Sequence, residues 1–206
     1  MTNFITFEGI DGVGKTAVSQ QVAKDLDYYY TSDPRGTNTG SAIADAVLSF
    51  SSTDLTRTFA FLAARSQLVS TIIKPVLEHQ SVICDRFSDS MIAYQGASSG
   101  LSTQQLQDLS LVASDGLKPD LTILLIAHDL RAIRERIYTR LRNKEKKLDN
   151  FDFMSIEQVE AIQNAYLKLA KAEPDRFVTI AVDKVPFEHL CRSVSGAILR
   201  RLGENR

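Results

Sequence analysis

The chain has 206 residues, 44% apolar and 24% charged, with 24 Lys and Arg against 25 Asp and Glu for a formal net charge of −1. That size fits a single well-cored domain, at most with an inserted flap, and the charge balance excludes the broad basic surface of a nucleic-acid binder. No run approaches about 18 apolar residues and no basic stretch leads into an apolar core at the N-terminus, so neither a membrane span nor a signal peptide is expected.

The first predicted strand covers residues 3 to 7 and runs directly into "FEGIDGVGKT", residues 7 to 16. Gly9, Gly14, Lys15 and Thr16 match the phosphate-loop pattern of Gly, four residues, Gly, Lys and Ser or Thr. Ala17 to Leu26 follows with Val18, Val22, Ala23 and Leu26 at helical spacing, which completes the strand, loop and helix that the motif requires. In such a loop the glycines Gly9, Gly12 and Gly14, with Ile10, Asp11 and Val13 between them, let backbone N–H groups converge on phosphate. Lys15 would reach the outer phosphates, and Thr16 would ligate Mg²⁺.

Residues 28 to 31 form a second short strand, and Asp33-Pro34-Arg35-Gly36-Thr37 reads as a turn whose Arg35 is a candidate phosphate contact. A long helix is predicted over 54 to 79, with Phe59, Leu62, Ala63, Val69, Ile73 and Val76 as its inward stripe and Pro75 kinking or ending its last turn. Phe61 and Arg65 sit one turn apart on another face. They pair an aromatic ring that can stack on a base with a guanidinium that can grip phosphate. As a structural pair, they would be a buried Phe and an Arg reaching past it to solvent.

The third strand, 81 to 85, ends in Asp85-Arg86, at the edge where the phosphate loop also opens. A carboxylate there can hold Mg²⁺ through water and an arginine can bridge two phosphates. Further strands are predicted at 121 to 126 and 177 to 182. Strands alternating with helical segments predict an α/β fold with a mainly parallel sheet and ligands at the carboxyl ends of the strands. Residues 131 to 147 carry Arg131, Arg134, Arg136, Arg140, Arg142, Lys144, Lys146 and Lys147 against Glu135 and Glu145, eight cations to two carboxylates. A lid that closes on polyphosphate accounts for that excess. Cys84 and Cys191 belong to no ligand-spaced cluster and read as reduced thiols of a cytoplasmic protein, and His79, His128 and His189 share no metal spacing.

Taken together, the series resembles the thymidylate kinase family over nearly the whole chain. It is carried by "FEGIDGVGKT", "FLAARSQLVSTIIKP", "DRF" with "SMIAYQG", "KPDLTILL" and the late "AYLKLA", in the family's order and spacing. The resemblance implies one phosphate-loop kinase domain over 1 to 206: a five-stranded parallel sheet flanked by helices, a mobile basic lid at about 134 to 152, and a homodimer. The reaction it implies is phosphorylation of dTMP to dTDP with ATP and Mg²⁺. By position, Lys15 would bind the donor's outer phosphates, Thr16 with Asp85 the metal, and Asp11 the acceptor sugar and metal shell. Phe61 would stack on thymine, while Arg65 and Arg86 hold and bridge phosphates. Ser90 falls in the stretch that reads the base edge, and Tyr94 lies under the ribose. Pro34, Arg35, Met91 and Gln95 complete the predicted substrate set. Gly12 in the loop resembles the bacterial subtype whose catalytic cation comes from the lid, here Arg136, Arg140 or Arg142.

The chain departs from the family at Ser32 to Gly36, where many members have Arg-Glu-Pro-Gly-Gly. It also departs at Met91, where a polar residue often stands, at Ala17, and at Asp149-Asn150-Phe151-Asp152. Two other readings stay open at this stage: a phosphate-loop kinase for another nucleotide or a nucleoside, and a nucleotide-dependent switch or inactive binder. A GTPase would offer Asn-Lys-x-Asp, and "NKEK" at 143 to 146 lacks the final Asp.

Overall fold

A computed structural model describes residues 2–49, 52–96, 98–143 and 154–203. Its centre is a five-stranded, all-parallel sheet in the order β2-β3-β1-β4-β5. The strands are β1 (Phe4–Glu8), β2 (Tyr29–Ser32), β3 (Val82–Asp85), β4 (Leu121–Ile126) and β5 (Phe177–Ala181). β1, β3 and almost all of β4 are buried along their length, because helices cover both sheet faces. A parallel strand in that position reads as an unbroken apolar run, which is why these segments stand out in the sequence.

The faces follow the period of two. Ile5 and Phe7 of β1 join Ile83, Leu121 and Ile123 under α1 (Lys15–Leu26) and α9 (Phe187–Leu202), with Val18, Val22, Val194 and Ile198 closing that core. Phe4 joins Val82 and Cys84 in a second core with Leu68, Val69, Ile73 and Phe87. On the same side of β1 as Phe4, the alternation continues with polar residues: Thr6, whose hydroxyl lies 2.8 Å from that of Thr122, and Glu8.

The helix predicted over 54 to 79 is three pieces: α3 (Asp54–Leu68), a π-helical stretch (Val69–Ile73) and a terminal turn, α4 (Lys74–Leu77). Pro75 lacks the N–H that would bond back to residue 71, and the widened turn before it accommodates that gap. The predicted stripe is out of phase at its start. Leu62, Val69 and Ile73 are buried, but Phe59 is 52% exposed and Ala63 faces solvent, while Ala64, Arg65 and Leu68 point inward. The inward pull of Arg65 sets this phase, as its surroundings show below.

The other helices are α2 (Asn38–Ser49), α5 (Ser88–Gln95), α6 (Thr103–Ala113), α7 (Leu130–Arg142) and α8 (Ile156–Ala172). Ser102 and Ser155 start α6 and α8 with reciprocal capping boxes to Gln105 and Gln158. No helix among the described residues is long and apolar enough to cross a membrane, and Cys84 and Cys191 are both buried and unbridged.

Candidate active site

The phosphate loop turns from β1 into α1 through three glycines at positive φ: Gly9 (+139°), Gly12 (+84°) and Gly14 (+93°). At Gly9 a Cβ would lie 2.3 Å from the Leu125 carbonyl oxygen, so only glycine permits the approach to β4. Gly14 is the N-cap of α1 and supplies no side-chain cap. The first N–H groups of α1 therefore keep their donor capacity for an anion.

Lys15 is 5% exposed; its Nζ donates to the Ile10 carbonyl at 2.8 Å and lies 3.7 Å from Asp11 Oδ1. Burial, with Arg86 nearby, pulls its pKa down to about 8. An incoming polyphosphate would oppose both causes. Thr16 Oγ1 donates to Asp85 Oδ2 at 2.5 Å, and Asp85 Oδ1 is buried without a hydrogen-bond partner among the described residues. A hydroxyl beside a carboxylate with an orphaned oxygen is a hard, all-oxygen donor set of the kind Mg²⁺ takes alongside water and phosphate.

Beside the loop, over the ends of β2 and β3, lies a cavity of about 320 Å³. The structure brings all ten predicted substrate residues to its wall: Asp11, Pro34, Arg35, Phe61, Arg65, Arg86, Ser90, Met91, Tyr94 and Gln95, together with Thr16 and Asp85. Arg86 joins loop and cavity. Its Nη2 donates to Asp11 Oδ1 at 2.5 Å and to Tyr94 Oη at 3.1 Å, and its Nη1 reaches the Gly9 carbonyl at 3.4 Å. Its backbone sits at φ +69°, a strained setting for a long side chain.

Arg65 is set deeper than a reach toward solvent would place it. Nε donates to Asp33 Oδ2 at 2.6 Å and Nη2 to the Phe87 carbonyl at 3.0 Å, whereas Nη1 has the looser neighbours Ser110 Oγ at 3.4 Å and Met91 Sδ at 4.0 Å. Burial pushes the Asp33 carboxyl up, against the pull of Arg65. Arg35 is exposed and paired with Asp45 at 2.7 Å.

The basic helix α7 crosses the phosphate loop on its other side. A Cβ on Gly12 would lie 2.8 Å from Ile133 Cγ2 and 3.0 Å from Ile137 Cγ1, so α7 rests directly on the loop. Arg136 and Arg142 are exposed on this helix, and Arg142 pairs with Glu135 at 2.7 Å. The side chain of Arg140 and residues 144 to 152 of the predicted lid, with Asp149 to Asp152, lie outside the described residues.

Several residues around the site are given no role by the sequence. Glu8, Asp33, Ser110 and Tyr166 form its buried polar backing, and Asp89 forms a two-pronged pair with Arg176 at 2.7 and 2.9 Å. A buried carboxylate at the end of a strand could have pointed to Glu8. Tyr166 lies 158 residues from it, and no local pattern could have joined them.

Comparison with known proteins matches residues 7–190 to the family model described as thymidylate kinase. The thymidylate kinase of Desulfovibrio desulfuricans is 38% identical over 213 residues, covering 97% of this chain and 98% of the relative. That of Pelobacter propionicus is 35% identical, covering 87% and 86%. The crystal structure of thymidylate kinase from Ehrlichia chaffeensis superposes with a TM-score of 0.77 at 27% identity, covering 96% of this chain and 98% of that one.

Proposed function

The chain belongs to the thymidylate kinase family, and from that premise we propose that it transfers the terminal phosphoryl group of ATP to dTMP with the residues of this loop and cavity. The observation that carries the assignment to these residues is the position of Arg86. It contacts Gly9 and Asp11 of the phosphate loop and Tyr94 of the cavity at once, where donor and acceptor phosphates would meet.

Both substrates are anions, and their approach is repulsive until cations screen it. The acceptor phosphate, with a second pKa near 6, is a competent nucleophile at neutral pH, so the site needs no general base. Positioning and charge stabilisation remain for the protein. The uncapped start of α1 and Lys15 hold the donor's phosphates. Arg86, released from Asp11 as phosphate arrives, bridges donor and acceptor, and Asp11 is then free to turn to the acceptor sugar. Thr16 and Asp85 would hold Mg²⁺, which when bound supplies further positive charge at the phosphates. Arg136, Arg140 and Arg142 are the cations a closing lid would bring.

The acceptor base lies at the other end of the cavity, against Phe61 and Met91. Arg65, fixed by Asp33 and Phe87, offers its Nη1 edge there and makes no contact with the phosphate loop among the described residues. This moves Arg65 from the phosphate to the base end of the acceptor. The outer face of α3 supports a homodimer: Leu55, Phe59 and Ala63, four residues apart, are exposed along it, and the adjoining α6 exposes Leu111 and Val112. Two free, buried thiols fit a reducing cytoplasm.

The test is ADP release from Mg-ATP with dTMP, dUMP, dCMP, dAMP, dGMP, UMP and thymidine offered in turn. Fast release with dTMP, and dUMP a poor second, is expected. Preference for another acceptor moves the function to a sister kinase, and no release with any of them makes the chain a binder.

A further inference from the structure

Glu8, the last residue of β1, is fully buried yet carries a carboxylate, and no ion pair reaches it among the described residues. Oε1 accepts from the backbone N–H of Phe87 at 2.8 Å and of Ser90 at 3.2 Å. Oε2 accepts from Ser90 Oγ at 2.6 Å and from Tyr166 Oη at 2.8 Å. With Glu8 ionised, Oε2, Ser90 Oγ and Tyr166 Oη lie within 2.8 Å of one another, and the two hydroxyl protons are shared among these three oxygens. Toward Nη1 of Arg86, at 3.0 Å from Ser90 Oγ and 3.3 Å from Tyr166 Oη, the two hydroxyl oxygens are then left to accept. Nη2 is thereby turned to Asp11 and Tyr94, toward loop and cavity.

We propose that Glu8 is the positioning residue for Arg86: its carboxylate fixes the proton direction of Ser90 and Tyr166, so that Nη1 is held between two acceptors and the Nη2 edge is presented to the substrate phosphates. This rests on the phosphoryl-transfer reading above and adds to it a group that touches no substrate.

A purely structural role for Glu8 would be to cap the start of α5, and for that Oε1 suffices. Glu8→Gln separates the two roles. Its amide oxygen can keep the N–H groups of Phe87 and Ser90, but its NH₂ must donate to the two hydroxyls. The contact between the two hydroxyls can take only one of their protons, so the other turns toward Nη1, and donor then meets donor. Protonation of Glu8 adds a third proton to the same three oxygens and removes the negative charge that orients the hydroxyls. The groups around it are Arg86 after β3, Asp89 on α5 with its partner Arg176, Tyr94 on α5, Lys15 on α1, Tyr166 on α8 and Cys84 on β3. Burial, reinforced by Asp89, pushes the carboxyl up to about 7, with Arg86, Ser90 and Tyr166 pulling the other way. The loss of that charge therefore falls near neutral pH.

The experiment begins with transfer from Mg-ATP to dTMP by the wild-type enzyme; if none occurs, the functional reading itself falls, and this inference with it. Given transfer, kcat and KM for dTMP are measured from pH 6 to 9 for Glu8→Gln, Arg86→Ala and the double variant. Glu8→Gln is expected to lower kcat by roughly 10- to 100-fold, the loss typical of removing an orienting partner, and to abolish the limb near pH 7. In the Arg86→Ala background it should change nothing further. Wild-type kcat in Glu8→Gln, or an undiminished loss on top of Arg86→Ala, overturns the proposal. If Glu8→Gln does not fold, Tyr166→Phe takes its place in the cycle: coupling to Arg86 supports the assignment, and additivity overturns it.

Discussion

Arg65 and Asp33 form an ion pair sealed from solvent, with Nε 2.6 Å from Oδ2 and each side chain 3% exposed. The pair ties α3 to the turn after β2 and forms part of the cavity wall. Its second carboxylate oxygen, Oδ1, has no partner among the described residues, so Asp33 depends heavily on this one cation. Arg65→Ala should therefore destabilise the fold by about 3 to 5 kcal/mol, the cost of stranding a buried charge. Urea unfolding of Arg65→Ala, Asp33→Ala and the double variant checks this; the double variant should recover part of the loss. Equal stability of wild type and Arg65→Ala would mean that the pair is not closed to water.

That pair also shows where the sequence could be read and where it could not. β1, β3 and β4 were legible because a strand buried on both faces must be apolar, and the phosphate loop because only glycine tolerates its backbone. The phase of α3 was not. Hydrophobicity alone turns Phe59 inward and Arg65 outward, and both are reversed: Arg65 is drawn in by Asp33, 32 residues earlier, and Phe59 is left outside. The cavity residues were legible through their spacing in a known series. Their buried backing was not, because Glu8 and Tyr166 reach Ser90 only once β1, α5 and α8 are assembled.

Lys15→Ala should keep the fold and lose turnover. Lys15 forms one hydrogen bond to the Ile10 carbonyl and a loose approach to Asp11, so little structure depends on it. Removing a central cation from a phosphoryl-transfer site should cost roughly 3 to 4 kcal/mol of barrier, about a hundredfold to a thousandfold in kcat. Circular dichroism with coupled ADP release distinguishes the outcomes, and near-normal turnover removes Lys15 from the mechanism.

Gly12→Ala should lift α7 from the phosphate loop. The new methyl would meet Ile133 Cγ2 at 2.8 Å and the Ile133 carbonyl oxygen at 3.2 Å, at a φ of +84°. The left-handed backbone alone costs about 1 to 2 kcal/mol for a residue with a Cβ. A lower thermal midpoint and a raised KM for ATP are expected. Ile133→Ala in the same chain should relieve only the contact with Cγ2, leaving those with Ile137 and the Ile133 carbonyl and the backbone part.

Phe59→Glu should leave the enzyme folded, since Phe59 is more than half exposed, and convert the proposed homodimer to monomer. A charge in the middle of an apolar seam must be desolvated on association, and nothing on the exposed stripe of Leu55 and Ala63 would pair with it. Light scattering coupled to size exclusion reads the mass directly. A wild-type monomer, or a Phe59→Glu dimer, excludes this face as the interface.

Glu8 should make stability and activity move in opposite directions with pH. Its folded pKa, about 7, lies above the ordinary carboxylate value of 4.5, so between the two the native state binds more protons than the unfolded chain. Unfolding free energy then falls as pH rises through this window and levels off above about 7, because stability rises with pH only where the unfolded state binds the extra protons. At about 1.4 kcal/mol per unit, the native state gives up on the order of 3 kcal/mol to keep this carboxylate charged. Glu8→Gln removes the ionisation and keeps the shape. Its thermal midpoint should match or exceed that of the wild type at pH 8, with the gap closing toward pH 6, while its turnover at pH 8 is the lower of the two. A buried carboxylate kept only for packing would leave Glu8→Gln with a turnover no lower than its folded fraction accounts for.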